Sequence, residues 1–465
     1  LALKELGADV HYYIPDRFSD GYGFGQGGLD YAREISASLI ITVDCGITSF
    51  DSVRKARKMG MAVIVTDHHE PKRDEQGALL LPEADVVINP RLQEEMPPMS
   101  GVMVAFKLAE ALLGRERAVR MLDLVSLGTV ADIIPLVDEG RVVVKEGLRL
   151  INSAERPGIK SLIEVSGLRP GNITAGLLGF TLIPRINASG RIDNARDVIR
   201  MLTTTEHAEA VEIAGRLNEL NQKRQQIEEE VLNEAREDVE RRGFEYAIVS
   251  ASEGWHEGVV GIVAARLAER FYRPAFVFNI SDGYARGSAR SIPPLNLYRA
   301  IARCADLLEA FGGHRQAAGL KLRVERLPEF EARINQTVRE MLSDEDLIPT
   351  LTIDAQVTLR DISFELIKEL QGLEPFGAGN PEPVFGAKAL EVLNARVVGN
   401  NHLKMSLRDR NVVIDAIGFD MAERFEPIAS NGTVDVVFSP QVNEWEGGRY
   451  LQLRLMTMRP SKNKG

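Results

Sequence analysis

Cysteine is nearly absent: only Cys45 and Cys304 occur in 465 residues. Two thiols cannot build a disulfide framework, which excludes the small secreted scaffolds and points to a reducing, cytoplasmic compartment. Long apolar runs are missing as well. No stretch reaches the about 18 apolar residues that a membrane-spanning helix needs, and no signal peptide is visible. Positive charge is not in surplus, because 56 Lys and Arg stand against 67 Asp and Glu, a formal charge of −11. Bulk charge therefore provides no global field for a polyanion, and any nucleic-acid contact has to be set by local arginines and metal ions. Internal repeats are absent, and only the last few residues are low in complexity. What is present, 44% hydrophobic and 26% charged residues, excludes disordered and collagenous chains. The length suits about three domains.

The first 115 residues alternate short apolar runs with helical stretches. VHYYI (10–14), LIITVD (39–44), MAVIVTD (61–67) and ADVVINP (84–90) read as strands, with helices near 29–37 and 50–59. Strands apolar on both faces that alternate with helices predict a parallel, doubly wound α/β sheet. Helical sequence follows to about residue 195, centred on LVSLGTVADIIPL (124–136). Residues 207–242 are dense in mixed charge, without proline, and predict a long, largely solvated connecting helix. A smaller α/β unit follows, with strands EYAIVSA (245–251) and PAFVFNI (274–280) around a helix at 258–270. From about residue 346, short alternating strands between turn signals predict an OB-like β-barrel. The expected boundaries are 1–195, 196–242, 243–345 and 346–462.

Ligands of an open parallel sheet bind beyond the carboxyl ends of its strands. One strand runs into Asp44 and the next into Asp67-His68-His69, so carboxylates and imidazoles should meet at one rim. That donor set suits Mn²⁺ or Mg²⁺. Asp132 is expected to join it, since an aspartate inside so apolar a run is costly to bury without a metal or partner. Gly23, Gly25 and Gly28 spell a G-x-G-x-x-G that mimics a dinucleotide site. That reading is set aside, because the turn carries Arg17 and Asp20 and leads to the acidic cluster. Trp255-His256 fits either a catalytic pair or a helix entry.

TVDCGIT, VTDHHEP and SLGTVADIIPL resemble motifs II, III and IV of the DHH phosphoesterase superfamily, and FGGHRQAAG (311–319) resembles the signature of the associated DHHA1 domain. YIPDRFSDGYGFG, IPRINASGRI, WHEGVVGIVAARL, GSARSI and LEPFGAGNPEPVF extend the likeness, over essentially the whole chain, to the superfamily's bacterial single-strand-specific exonucleases. The resemblance implies a metal-dependent 5′→3′ exonuclease on single-stranded DNA, active in repair and recombination. It implies that Asp44 bridges two Mn²⁺ or Mg²⁺ ions, that His68 and Asp132 ligate one of them, that Asp67 orients the imidazoles and that His69 polarises the phosphate. The superfamily's Asp-x-Asp motif I is expected upstream of the opening LALKELG. The two-metal site is accordingly expected to be incomplete in this chain, and the chain crippled or inactive.

Ser288 and Arg290 lie two apart and share a face on an extended segment, where guanidinium and hydroxyl can grip a phosphate. By resemblance they and Arg17 form a 5′-phosphate pocket, His314 in its glycine-flanked turn contacts substrate near the metals, and Arg185, Asn187 and Arg191 touch the strand. Phe419, Trp445 and Tyr450 are the barrel's stacking candidates, with Phe385 expected in its core. A RecQ-type helicase and a single-strand-binding protein are the implied partners, with no membrane. Two alternatives stay open: a phosphodiesterase for short oligonucleotides or cyclic dinucleotides, and a non-catalytic nucleic-acid-binding relative.

Overall fold

Three strands, β1 (Leu39–Val43), β2 (Ala62–Thr66) and β3 (Val86–Ile88), form a parallel sheet in the order β1-β2-β3. The computed structural model describes all residues except 16–22, 94, 193–194, 400, 425–431, 446 and 462–465, and the side chains of 191, 192 and 424. Val43 lies opposite Thr66, and Thr66 opposite Ile88, so the three strands end at one rim. The helix Phe50–Lys58 crosses from β1 to β2, with Asp51 in its first turn and Lys55, Arg57 and Lys58 in its last. Those charges complement the helix dipole. Val53 and Ala56 of this helix pack with Val63 and Val65 of β2 and with Leu29. VHYYI does not become a strand: residues 10–15 carry no ladder. Its β-prone side chains find other neighbours, and Tyr13 lies against Tyr31 at 5.5 Å between ring centres.

The helix His207–Arg242 runs 36 residues as its charge pattern predicts, and much of it is exposed, but one side is interior. Ala210, Ile213, Ala214, Leu217, Val231, Ala235 and Val239 bury one stripe along its whole length. It packs on the helices Pro157–Val165, Ile183–Ile192 and Glu257–Phe271. Strands β4 (Ile248–Glu253), β5 (Ala275–Ser281), β6 (Tyr284–Arg290), β7 (Ala310–Gly313) and β8 (Ala317–Arg323) form a second sheet in the order β4-β5-β6-β8-β7. Only β4 and β5 pair in parallel. Glu257–Phe271 covers one face, through Ala275 and Val277. Leu327–Met341 covers the other, where Phe330 meets Phe276 and Phe278 edge-on at 5.6 and 5.9 Å.

The C-terminal strands are β9 (Phe385–Val398), β10 (His402–Asp409), β11 (Val412–Gly418), β12 (Thr433–Trp445) and β13 (Gly448–Pro460). They pair in the order β9-β10-β11-β13-β12, and β12 returns to β9, closing the expected barrel. Leu403, Met405, Leu407, Ala416, Phe438 and Leu453 fill it. By contacts the chain divides into two compact units, residues 1–89, 150–173 and 177–350, and residues 90–149, 174–176 and 351–465. Among the described residues no helix is long and apolar enough to cross a membrane.

Candidate metal centre

The loops leaving β1 and β2 are built to hold side chains in place. Asp44, the first residue past β1, sits in the left-handed region at φ +60°, a conformation that aspartate tolerates better than most residues. Gly46 follows at φ +110°, where a Cβ would stand 2.6 Å from the Thr42 hydroxyl, so only glycine closes this turn. Thr42 donates that hydroxyl to the Cys45 carbonyl at 2.7 Å, and Thr66 donates its own to the Thr42 carbonyl at 2.6 Å. The two strand ends are thereby tied together.

Asp67 is the pivot of the second loop. Its carboxylate, 1% exposed, accepts from the amides of Ile47 at 3.0 Å, His68 at 2.7 Å and His69 at 3.2 Å. It also meets Nδ1 of His69 at 2.7 Å. Burial works against its charge, but the bonds from His69 and the amides outweigh it and hold its pKa below the ordinary carboxylate range. The same bond raises the His69 pKa against desolvation. With Nδ1 donating, a neutral His69 presents the Nε2 lone pair outward. His68 points Nε2 at Asp44 Oδ1, 2.9 Å away. Ligand atoms of Asp44, His68 and His69 all lie within 4.8 Å of one another. One exposed carboxylate and two imidazoles, one oriented by a buried carboxylate, fit a divalent ion such as Mn²⁺. Cys45 lies beside them, but burial and then Asp67 and Asp44 push its thiol up to about 11, so it keeps its proton.

Asp132 is not buried in the apolar run around it. It is exposed, and caps the C-terminal end of the helix Leu122–Ala131 in the second unit. The apolar run straddles a helix end: Ile134 and Leu136 return to the core while Asp132 turns outward. The next residue, Ile133, holds φ +54° and is 75% exposed, a strained setting for a β-branched side chain. The three residues brought together in the first unit are Asp44, His68 and His69.

The expected phosphate pair is assembled. Ser288 and Arg290 share one face of β6, and Arg290 Nη1 donates to the Ser288 hydroxyl at 2.8 Å. Burial lowers the Arg290 pKa. A Cβ on Gly261 would meet Ser288 Oγ at 3.0 Å and Arg290 Nη2 at 3.2 Å, so that glycine admits the pair beneath its helix. His314 is exposed just after β7, behind Gly313 at φ +150°. Arg185 is half-buried, donating Nε to Asn218 at 3.0 Å and Nη1 to the Thr181 carbonyl at 2.6 Å. Asn187 is exposed on the same helix. Arg17 and the Arg191 side chain fall outside the described residues.

The remaining alternatives resolve. His256 caps the helix Glu257–Phe271 by accepting from Gly258 N at 3.0 Å, and the buried Trp255 donates to Glu234 at 2.7 Å: a helix entry. Gly25 caps the helix Gln26–Glu34, and among the described residues no strand precedes it as a dinucleotide fold requires. Phe419, Trp445 and Tyr450 are exposed and Phe385 is buried.

Residues 1–129 match the DHH family N-terminal domain, 244–340 the DHHA1 domain and 353–457 the RecJ OB domain. A single-stranded-DNA-specific exonuclease RecJ of Haemophilus influenzae is 35% identical over 491 residues, spanning 99% of this chain and 84% of its own. The chain belongs to the RecJ family. A Bacillus subtilis RecJ is 40% identical, and the chain spans 58% of its length. A Thermus thermophilus RecJ crystallised with Mn²⁺ superposes with a TM-score of 0.84 at 31% identity, over 99% of this chain and 66% of that one. In this RecJ-family chain, sequence reasoning missed two residues that position the candidate groups. Asn89 donates its side chain to the His69 carbonyl at 2.9 Å, and its place at the end of β3, on the same rim, was the available signal. Gly261 carried a fainter one, a glycine in the interior of a helical stretch.

Proposed function

We propose that this chain is the core of a metal-dependent 5′→3′ exonuclease that hydrolyses single-stranded DNA to 5′-mononucleotides in DNA repair and recombination in the cytoplasm. The observation that carries the proposal is the Asp44–His68–His69 cluster at the strand rim, in a chain whose relatives are named single-stranded-DNA-specific exonucleases. Asp44 and His68 would hold Mn²⁺ or Mg²⁺, with Asp132 as a further ligand. The metal supplies charge neutralisation at a phosphodiester and a water made acidic enough to attack it. Asp67 fixes His69 in the tautomer that turns Nε2 toward the phosphate. Ser288 and Arg290, with Arg17, take the 5′-phosphate, while His314, Arg185, Asn187 and Arg191 contact the strand. A RecQ-type helicase and a single-strand-binding protein are the partners this reading implies. The closed barrel supports it over a small-substrate phosphodiesterase, since OB-folds grip single strands.

The test is Mn²⁺-dependent release of mononucleotides from 3′-labelled single strands, comparing the full-length protein with its Asp44→Ala and His68→Ala variants. Loss of at least about a hundredfold in rate is expected for each, as for removal of an essential electrostatic group. Equal rates in the variants, or equal digestion of blunt duplex, would overturn the assignment.

A further inference from the structure

The face of the second sheet that carries Ser288 and Arg290 does not end with them. Cross-strand partners share a face, and on β8 and β7 the partners beside Ser288 are Gly319 and then Gly312. A Cβ added to either glycine would meet nothing within 4 Å. The helix Glu257–Phe271 packs over β5 and β6, so the floor next to Ser288 is bare backbone.

Farther along the same strands the floor becomes cationic. Arg286 lies opposite Lys321, and Tyr284 opposite Arg323. Lys321 Nζ and the Arg323 guanidinium carbon each stand 4.3 Å from the centre of the Tyr284 ring, and that of Arg286 stands 5.9 Å away. Three cations around one ring repel each other, and the ring holds them in place. Two of them have acidic partners, Glu257 at 3.5 Å from Arg286 and Glu309 at 3.9 Å from Arg323, both in exposed pairs. Among the described residues no carboxylate lies within 4.0 Å of the Lys321 ammonium.

We infer that Arg286, Lys321 and Arg323, held around Tyr284, bind the phosphates of a single-stranded nucleic-acid segment lying on the sheet beyond the Ser288–Arg290 pair. Residues two apart on a strand repeat every 6.4–6.8 Å or so, so the stripe offers successive positive stations leading away from the open glycine floor. Weak exposed pairs with Glu257 and Glu309 yield readily to phosphate. A phosphodiester backbone matches this row of charges, and the site extends the nucleic-acid reading above, on which it rests.

The test compares the protein with the double variant Lys321→Gln, Arg323→Gln. Binding of a 30-nucleotide 5′-phosphorylated single strand, and of a 5′-mononucleotide as the shortest possible strand, is measured across salt concentrations. The slope of log affinity against log salt should fall by about 1.4 for the long strand, about 0.7 for each phosphate that a cation no longer neutralises. The short strand should bind the variant as it binds the parent, at an unchanged melting temperature. Lys321→Arg should keep the parental slope. An unchanged slope on the long strand, as expected if the stripe serves an acidic protein, would overturn the inference while leaving the proposed function intact. Equal losses on both strands would also overturn it. No binding of either strand by the parent would overturn both.

Discussion

A buried carboxylate with three amides and an imidazole around it has little freedom to be anything else, and Asp67 is such a group. Asp67→Asn replaces one oxygen with a donor that must face another donor. The expected destabilisation is about 1–3 kcal/mol by chemical denaturation, with Mn²⁺ affinity down about 10–100-fold by calorimetry, because the loop that carries His68 loses the carboxylate its amide donates to. Lost stability at full affinity would reduce Asp67 to a loop clamp. Gly313 makes a second test. A Cβ there would stand 2.4 Å from the Ala317 carbonyl oxygen and 2.5 Å from the Ala318 Cα at φ +150°. Gly313→Ala should destabilise by about 1–3 kcal/mol and displace His314, seen as weaker single-strand binding; wild-type stability would refute it. The sequence TDHHEP announces this chemistry because strand, carboxylate and imidazoles are contiguous. Asn89 and Gly261 act on groups far away in sequence, and the outward turn of Asp132 depends on where a helix stops. Neither is written in local pattern.

At the scale of elements, the long helix shows where periodicity misleads. Its buried stripe includes Asn221, Arg224 and Glu228, so the charge run reads as solvated although part of it is interior. Glu228 pairs with Arg224 one turn away and accepts from Arg266 Nε of the neighbouring helix at 2.7 Å. Glu228→Ala leaves the buried Arg224 uncompensated and should destabilise by about 3–5 kcal/mol; a loss under about 1 kcal/mol would contradict the burial. Near the helix end, Asp238 accepts from Arg242 at 2.7 Å, Arg241 at 3.0 Å and the Ser250 hydroxyl at 3.1 Å. Burial opposes its charge, but these bonds prevail and lower its pKa. A lowered carboxylate stabilises above its unfolded pKa of about 3.9 and loses that contribution as pH falls through the folded value. Asp238→Asn should therefore be less stable than the parent at neutral pH, with the gap closing in acid. A gap independent of pH would refute the linkage. VHYYI shows the same limit for strands: β-propensity describes side chains, and residues 10–15 join no ladder.

For the whole molecule, the charge of −11 says little about binding, because the basic stripe around Tyr284 and the Ser288–Arg290 pair are local. The division into two units has a sharper consequence. Each unit contains a closed apolar core: Phe276, Phe278 and Phe330 under the second sheet, and Leu403, Phe438 and Leu453 inside the barrel. Cooperative unfolding follows the core that is lost, so the chain should not behave as one two-state system. Differential scanning calorimetry should resolve a van't Hoff enthalpy well below the calorimetric one. Leu453→Ala, at a fully buried position, should lose about 2–5 kcal/mol and lower one transition. Phe330→Ala, equally buried, should lose about 3–5 kcal/mol and lower the other. If both substitutions shift a single transition whose two enthalpies agree, the cores are energetically one, and the two units are a division of contacts without a thermodynamic counterpart.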